Sequence, residues 1–135
     1  MVGVAVKAII YNANDEILII KKSKEDDINP ETYDIPGGRV EEKESLANAL
    51  TREIEEETGL KTKIVGPSRV WDFKKEKLHL VGVTFLVKTK EFKVKLNIEH
   101  NEFLWVKDSF LLKSKIFPEW IKKEVLAAKK MKNIQ

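Results

Sequence analysis

The sequence predicts an α+β protein in which a mixed β-sheet is packed between helices. From Val2 to Tyr11 alternate residues are apolar and β-branched, and a short apolar run follows at Ile17–Ile20, patterns typical of strands. One helical stretch follows, then more strands, and the chain closes with a second helix. Strands, a helix, further strands and a final helix are the order that favours a layered sheet-and-helix sandwich.

The chain begins with a predicted hairpin. Val2–Tyr11 and Ile17–Ile20 have the strand pattern, and the turn cluster Asn12–Asp15 joins them. Lys21–Thr32 is polar, charged and broken by a proline, so we expect a mobile connection able to lie over a site. Tyr33–Ile35 then resumes an extended pattern.

The middle of the chain holds the first predicted helix. Pro36–Gly38 is a corner whose two glycines permit unusual backbone angles. The helix is expected from about Ser45 to Glu57. Gly59 follows at the position where a left-handed residue ends a helix.

The rest of the chain is predicted to contain two strand pairs and a helix. Lys61–Phe73 and Leu78–Lys88 form the first pair, around the charged turn Lys74–Lys77, and Phe92–Leu96 with Phe103–Val106 form a weaker one. The last helix runs from about Pro118 to Met131, with the proline at its first helical position. Its expected apolar side consists of Trp120, Ile121, Val125 and Leu126.

Composition narrows the class of protein. A chain of 135 residues is the size of one domain, which we place at residues 1–135. The absence of cysteine excludes disulfides, thiolate zinc sites and a thiol nucleophile. No apolar run approaches the roughly 18 residues of a membrane span, so we expect a cytoplasmic protein. The cations are 22 Lys and three Arg, and this shortage of arginine makes nucleic acid an unlikely partner.

Three carboxylates gather on one edge of the first helix. These carboxylates belong to Glu53 and to Glu56 and Glu57, which follow it by three and four residues. They lie beside the apolar stripe of Leu46, Leu50 and Ile54. Like charges at these spacings repel, and acidic groups in the last turn oppose the helix dipole. A solvated acidic face is one explanation. A divalent cation is the other, since it reverses the sign of these terms, and carboxylates are ligands that Mg²⁺ or Mn²⁺ prefers.

The spacing around these carboxylates decides between the two explanations. From Gly38 to Leu60 the sequence resembles the Nudix box, G-x5-E-x7-R-E-U-x-E-E-x-G-U with U a bulky aliphatic residue. Every specified position is filled: Gly38, Glu44, Arg52, Glu53, Ile54, Glu56, Glu57, Gly59 and Leu60. The resemblance implies the Nudix fold, a mixed sheet between helices, and hydrolysis of a nucleoside diphosphate linked to another moiety with Mg²⁺ or Mn²⁺.

Roles in the box follow from the resemblance residue by residue. Glu56 and Glu57 match metal-binding positions, and Glu53 matches a position that binds metal or serves as general base. Gly37 or Gly38 is expected to offer a backbone carbonyl to the metal. The remaining box positions have supporting roles: Arg52 orients a box glutamate although an ideal helical wheel points it away from Glu53, Glu44 contributes at a distance, and Gly59 ends the helix.

A second acidic position is expected outside the box. Many family members carry another glutamate in a loop before a late strand, where it acts as base or further metal ligand. Here Glu99 is the first candidate and Glu102 the second, while a simple polar turn remains the alternative. His100 between them is left unassigned.

A nucleotide base calls for an aromatic or apolar wall. The candidate substrate-binding residues are Tyr33, Arg39, Trp71 and Phe73. For Trp105 and Trp120 we expect a role in the core, because their surroundings are periodically apolar.

The leading function is hydrolysis of free nucleoside or deoxynucleoside triphosphates, including oxidised ones. ADP-ribose and dinucleoside polyphosphates are the alternatives, although Lys75 stands where ADP-ribose members often carry proline. Two further hypotheses are a non-catalytic nucleotide-sensing module and an enzyme that acts on capped RNA. We expect a monomer or homodimer with a small-molecule nucleotide substrate and no membrane partner.

Overall fold

The computed structural model describes residues 2–23 and 32–134. Its strands are β1 (Val2–Tyr11), β2 (Glu16–Lys22), β3 (Tyr33–Asp34), β4 (Gly37–Arg39), β5 (Thr62–Lys75), β6 (Leu78–Thr89) and β7 (His100–Lys107). Its helices are α1 (Leu46–Thr58), α2 (Asp108–Lys113) and α3 (Glu119–Ile134).

The strands form one mixed sheet in the order β3-β2-β1-β6-β5, with β4 added to β1 and β7 to β2. β1 and β6 are parallel, and the other pairs are antiparallel. α1 packs on one face through a core that includes Ile10 and Leu50. α2 and α3 pack on the opposite face, where the core includes Ile9 and Ile121. The predicted α+β class, a mixed sheet between helices, is confirmed.

The sheet opens near its middle, and this opening positions the site. β1 and β2 pair at Tyr11 and Ile17. Farther along, β3 pairs with β2 while β4 pairs with β1. The short segment from Tyr33 to Arg39 therefore lies between two neighbouring strands, next to the C-terminal end of α1.

Helix α1 begins and ends as its sequence predicts. The Ser45 hydroxyl accepts the backbone N–H of Asn48 at 3.1 Å, which caps the first turn. Gly59 has φ of 71° and donates its N–H to the Glu55 carbonyl, so it is the expected left-handed stop. The apolar stripe is shorter than predicted: Leu46 is 39% exposed, because it lies in the first turn beyond the edge of the core.

The predicted strand at Phe92–Leu96 is wrong. The Lys95 N–H donates to the Thr58 carbonyl at 2.8 Å, and Val94 and Leu96 pack on the α1 core. This segment therefore covers the end of α1 in an irregular conformation. The region of Phe103–Val106 is a strand, but it lies within β7 and pairs with β2.

The C-terminal helix differs from its prediction in phase. Trp120 and Leu126 are each 43% exposed, so the expected core role of Trp120 is wrong. The Pro118 carbonyl accepts the N–H of Lys122, which makes Pro118 the cap preceding α3 instead of its first residue. Helix α2 was not predicted. The buried residues of α3 are Ile121, Glu124, Val125 and Ala128.

Two further predictions concern the loop and the membrane. The expected mobile connection Lys21–Thr32 falls mostly on residues 24–31, outside the described residues, while Lys21 and Lys22 end β2. Within the described ranges, none of the helices has the length and apolar character needed to cross a bilayer.

Candidate active site

Two adjacent glycines in β4 allow close approaches, Gly37 to strand β1 and Gly38 to helix α1. Gly37 has φ of 151°, and a Cβ added there would lie 2.1 Å from the Val6 carbonyl oxygen. A Cβ on Gly38 would lie 2.5 Å from the carboxyl carbon of Glu53. Both distances are shorter than real contacts, so the Glu53 carboxylate occupies the space that a side chain at position 38 would take.

The Arg52 guanidinium contacts the carboxylates of Glu44, Glu53 and Glu56. Its Nε donates to Glu44 Oε2 at 2.8 Å, and its Nη1 donates to Glu53 Oε1 at 2.9 Å. Nη1 is also 3.5 Å from Glu56 Oε2. The expectation that Arg52 points away from Glu53 is wrong, since its guanidinium donates a hydrogen bond to the Glu53 carboxylate. The hydrogen bonds from Arg52 lower the pKa of Glu44 to about 2.

Glu57 is the buried carboxyl of the box. Its Oε1 accepts the Gly37 N–H at 2.8 Å, and its exposed fraction is 3%. Burial raises the pKa of Glu57 to about 8, although the Gly37 hydrogen bond and the charge of Lys7 act in the opposite direction. Burial also raises the pKa of the partly buried Glu53 against the effect of Arg52. Glu56 is mostly exposed.

A buried network connects Glu57 to β1, β3 and β7. The Lys7 ammonium donates to Asp34 Oδ1 at 3.0 Å, and His100 Nε2 is 3.4 Å from Asp34 Oδ2. Burial acts to raise the pKa of Asp34, but the charge of Lys7 and the His100 contact outweigh it, so this pKa is lowered. Because an ionised carboxylate can only accept, Nε2 is the ring nitrogen of His100 that donates to Asp34.

These residues fit a divalent cation. One ligand atom from each of Glu57, Glu99 and His100 lies within 4.8 Å of the others. His100 Nδ1 is buried, has no hydrogen-bond partner among the described residues, and is 3.8 Å from Glu57 Oε2. Imidazoles that bind metals commonly give their other N–H to a carboxylate, as His100 does with Asp34. Glu102 is placed elsewhere: its exposed carboxylate is 3.8 Å from the Lys21 ammonium.

A cavity of about 600 Å³ adjoins this network. Lys7 and Asp34 border it, and so do the candidate substrate-binding residues Tyr33, Trp71 and Phe73. Trp120 of α3, predicted to be in the core, also borders it and lies near the Lys7 ammonium, 5.9 Å from ring centroid to Nζ.

The Trp71 ring is held flat against the sheet. A Cβ on Gly82 would lie 2.1 Å from this ring, and Trp71 Nε1 donates to the Thr84 hydroxyl at 3.0 Å. Arg39, the fourth candidate substrate-binding residue, is positioned differently, because its guanidinium covers Gly3 on β1. The structure thus brings the three aromatic candidates to one cavity and leaves Arg39 outside it.

Comparison with known proteins agrees with this geometry. The family model of the NUDIX domain matches residues 1–128. The chain belongs to the Nudix family. The crystal structure of a MutT protein from Methanosarcina mazei Go1 superposes with a TM-score of 0.87 and 26% identity, covering 97% of this chain and 95% of that one. The resemblance inferred from the box therefore extends over nearly the whole chain.

Two curated relatives of this Nudix domain differ in how much they share with it. The nucleoside triphosphatase NudI of Escherichia coli is 30% identical over 106 residues, which is 70% of this chain and 75% of that protein. The m7GpppN-mRNA hydrolase NUDT17 of Xenopus laevis is 40% identical over 60 residues, or 44% of this chain. That match spans only 20% of the Xenopus protein's length.

The structure adds residues that sequence reasoning missed around this Nudix site. Lys7, Asp34 and Trp120 were not assigned to it, and His100 was left open. A signal existed for Lys7, since a lysine within a strand of buried apolar residues requires a partner. No local pattern pointed to Trp120, whose position depends on the phase of α3.

The raised pKa of Glu57 leads to a prediction about pH. A carboxyl whose pKa is higher in the folded than in the unfolded protein contributes its full stabilisation when the pH is below the unfolded pKa. For Glu57 that contribution is lost as the pH rises through the folded pKa of about 8. A cation binds the ionised form. We therefore expect Mg²⁺ to raise the melting temperature little at about pH 6 and much more at about pH 9. Thermal melts with Mg²⁺ and with chelator test this, and a magnesium effect that is the same at both pH values contradicts it.

Proposed function

We propose that this Nudix domain is a metal-dependent pyrophosphohydrolase of free nucleotides, with nucleoside and deoxynucleoside triphosphates, oxidised ones included, as its leading substrates. The observation that carries the proposal is that a candidate cation site lies next to a cavity. The cluster of Glu57, Glu99 and His100, in which Glu57 and His100 are buried and Glu99 is exposed, adjoins through Lys7 and Asp34 a cavity with aromatic walls. Such an arrangement offers one place for a cation and phosphates and another for a base.

The cation site is assigned to the box and to the loop before β7. Glu56, Glu57 and Glu53 are the proposed ligands from α1, with Glu99 as an additional ligand or base and a carbonyl of Gly37 or Gly38 as a backbone ligand. The proposed cation is Mg²⁺ or Mn²⁺. When bound, it neutralises charge on the phosphate oxygens and makes a water molecule more acidic.

The other residues of the site position these groups. Arg52 fixes the Glu53 carboxylate from one side, and the absence of a side chain at Gly38 leaves that carboxylate its space. A carboxylate with a raised pKa, as at Glu53, is suited to accept a proton from the attacking water. Water adds to one phosphorus, the anhydride bond breaks, and the leaving phosphate departs with its bridging oxygen.

The choice of triphosphates rests on the relative with the longer coverage. NudI is described as a nucleoside triphosphatase, and its match, at 30% identity, covers 70% of this chain. The Tyr33, Trp71 and Trp120 rings supply apolar surfaces against which a base can stack. ADP-ribose and dinucleoside polyphosphates remain the alternatives within the same reaction class.

A substrate panel followed by phosphorus NMR tests the proposal. It contains dGTP, 8-oxo-dGTP, ADP-ribose and diadenosine tetraphosphate, each with Mg²⁺ and then with chelator. We expect magnesium-dependent cleavage, fastest for a triphosphate. Heavy-oxygen water as solvent marks the phosphorus that is attacked, because the label stays with that product. Absence of turnover across the panel and with capped RNA contradicts the proposal and favours a nucleotide-sensing module.

A further inference from the structure

A second buried carboxylate borders the cavity, on the side formed by α3. Glu124 is 4% exposed, and its Oε2 accepts a hydrogen bond from Nη1 of Arg69 on β5. Its other oxygen, Oε1, is buried and has no hydrogen-bond partner among the described residues. Glu124 and Arg69 both border the cavity beside Trp71.

An unpaired carboxylate oxygen is costly inside a protein, because it has lost water without gaining a donor. Natural proteins retain few such groups, and those next to a cavity have an explanation if the cavity's occupant brings the donor. Glu124 is separate from the box carboxylates, which lie around α1 and the opening of the sheet. A donor group on the occupant of the cavity would satisfy the unpaired Oε1 of Glu124.

We propose that Glu124 and Arg69 together recognise the Watson–Crick edge of a guanine-type base. This inference rests on the proposed function, since it names the base of the nucleotide bound at that site. A carboxylate only accepts, and a guanidinium only donates, so the pair presents an acceptor beside a donor. Guanine has the complementary order along one edge: a carbonyl oxygen, a ring N–H and an amino group.

The other bases match this pair less completely. Adenine and cytosine offer an amino group beside a ring nitrogen acceptor, and uracil and thymine offer one N–H between two carbonyls. Only guanine places a ring N–H next to an amino group, which gives the carboxylate two donors. Oxidation at position 8 leaves this edge unchanged, so Glu124 and Arg69 distinguish guanine from other bases but not from its oxidised form.

Binding of nucleoside monophosphates tests this inference without requiring turnover. dIMP differs from dGMP by the missing amino group alone. We expect calorimetry to show that the wild-type chain binds dGMP about ten to a hundred times more tightly than dIMP. In Glu124→Gln the side-chain oxygen accepts from Arg69, and the side-chain NH₂ group faces the base. A donor then meets the amino group of guanine, so the preference for dGMP over dIMP disappears. Glu119→Gln, on the exposed side of the same helix, keeps it.

The outcomes separate this inference from the proposed function. Equal binding of dGMP and dIMP by the wild-type chain, no binding of dGMP, or a preference that survives in Glu124→Gln overturns base recognition by Glu124. The wild-type comparison stands even if Glu124→Gln fails to fold, which thermal melting detects. A dGMP preference without hydrolysis of any anhydride contradicts the proposed function and leaves the base site intact. Hydrolysis without a dGMP preference supports the proposed function and contradicts base recognition by Glu124.

Discussion

Replacing Glu57 by glutamine is expected to lower kcat by at least about 10²-fold while leaving the fold as stable as before or more so. Glutamine has the same shape, and its oxygen can still accept the Gly37 N–H. It lacks the negative charge that the proposed cation requires. Because burial raises the pKa of Glu57 to about 8, removing this carboxyl relieves a cost that the metal-free protein bears at alkaline pH.

The control for this variant is Glu55→Gln, a change of the same kind on the exposed side of α1. It is expected to retain wild-type activity and melting temperature. The measurements are kcat at saturating Mg²⁺ and melting curves in chelator at about pH 9, where the ionised carboxylate destabilises wild type most. Full activity of Glu57→Gln at limiting Mg²⁺ refutes its role as a ligand. A large drop in its melting temperature shows instead that Glu57 serves mainly the fold.

The combination of lost activity and kept stability is characteristic of a functional site. Glu53, Glu56 and Glu57 repel each other at the negative end of a helix, and a sequence that only had to fold would avoid this arrangement. The structure shows what opposes the repulsion: the Arg52 guanidinium contacts Glu53 and Glu56, and the Gly37 N–H donates to Glu57.

The sequence predicts the α1 carboxylates well because their geometry is local. Residues three and four apart on a helix are neighbours whatever surrounds them, so the spacing alone placed these side chains on one edge. Their burial is not local. Glu57 is buried because β4 and the start of β7 cover it, and these segments come from distant parts of the chain. Glu56 is exposed.

Strand pairing shows the same limit. The alternation in Phe103–Val106 correctly predicts a strand, but the partner that the sequence predicts for it, Phe92–Leu96, is wrong. The true partner is β2, about eighty residues earlier in the chain. This long-range pairing brings His100, at the start of β7, next to Asp34 of β3. A single sequence contains no record of that contact, so His100 could be singled out but not assigned.

Gly38→Ala is expected to reduce kcat by about ten- to a hundredfold with little loss of stability, since misplacing a reacting group by about 1 Å is enough for such an effect. The new methyl group would lie 2.5 Å from the carboxyl carbon of Glu53 and would displace that side chain. Arg52 donates to the same carboxylate at 2.9 Å, so the displacement also disturbs the contact that orients it. The backbone at Gly38, unlike that at Gly37, is not in the left-handed region, so alanine causes no strain there.

Gly66→Ala is the matched control, because a Cβ at Gly66 meets only the flexible end of the Met131 side chain, at 2.8 Å. Both variants should melt close to wild type, and only Gly38→Ala should lose activity. The Mg²⁺ concentration giving half-maximal rate should rise in Gly38→Ala if Glu53 is a ligand. It should stay constant, with a lower kcat and a shifted pH profile, if Glu53 is the base. Wild-type kinetics in Gly38→Ala would mean that Glu53 has neither role, leaving Glu56, Glu57 and Glu99 to hold the cation.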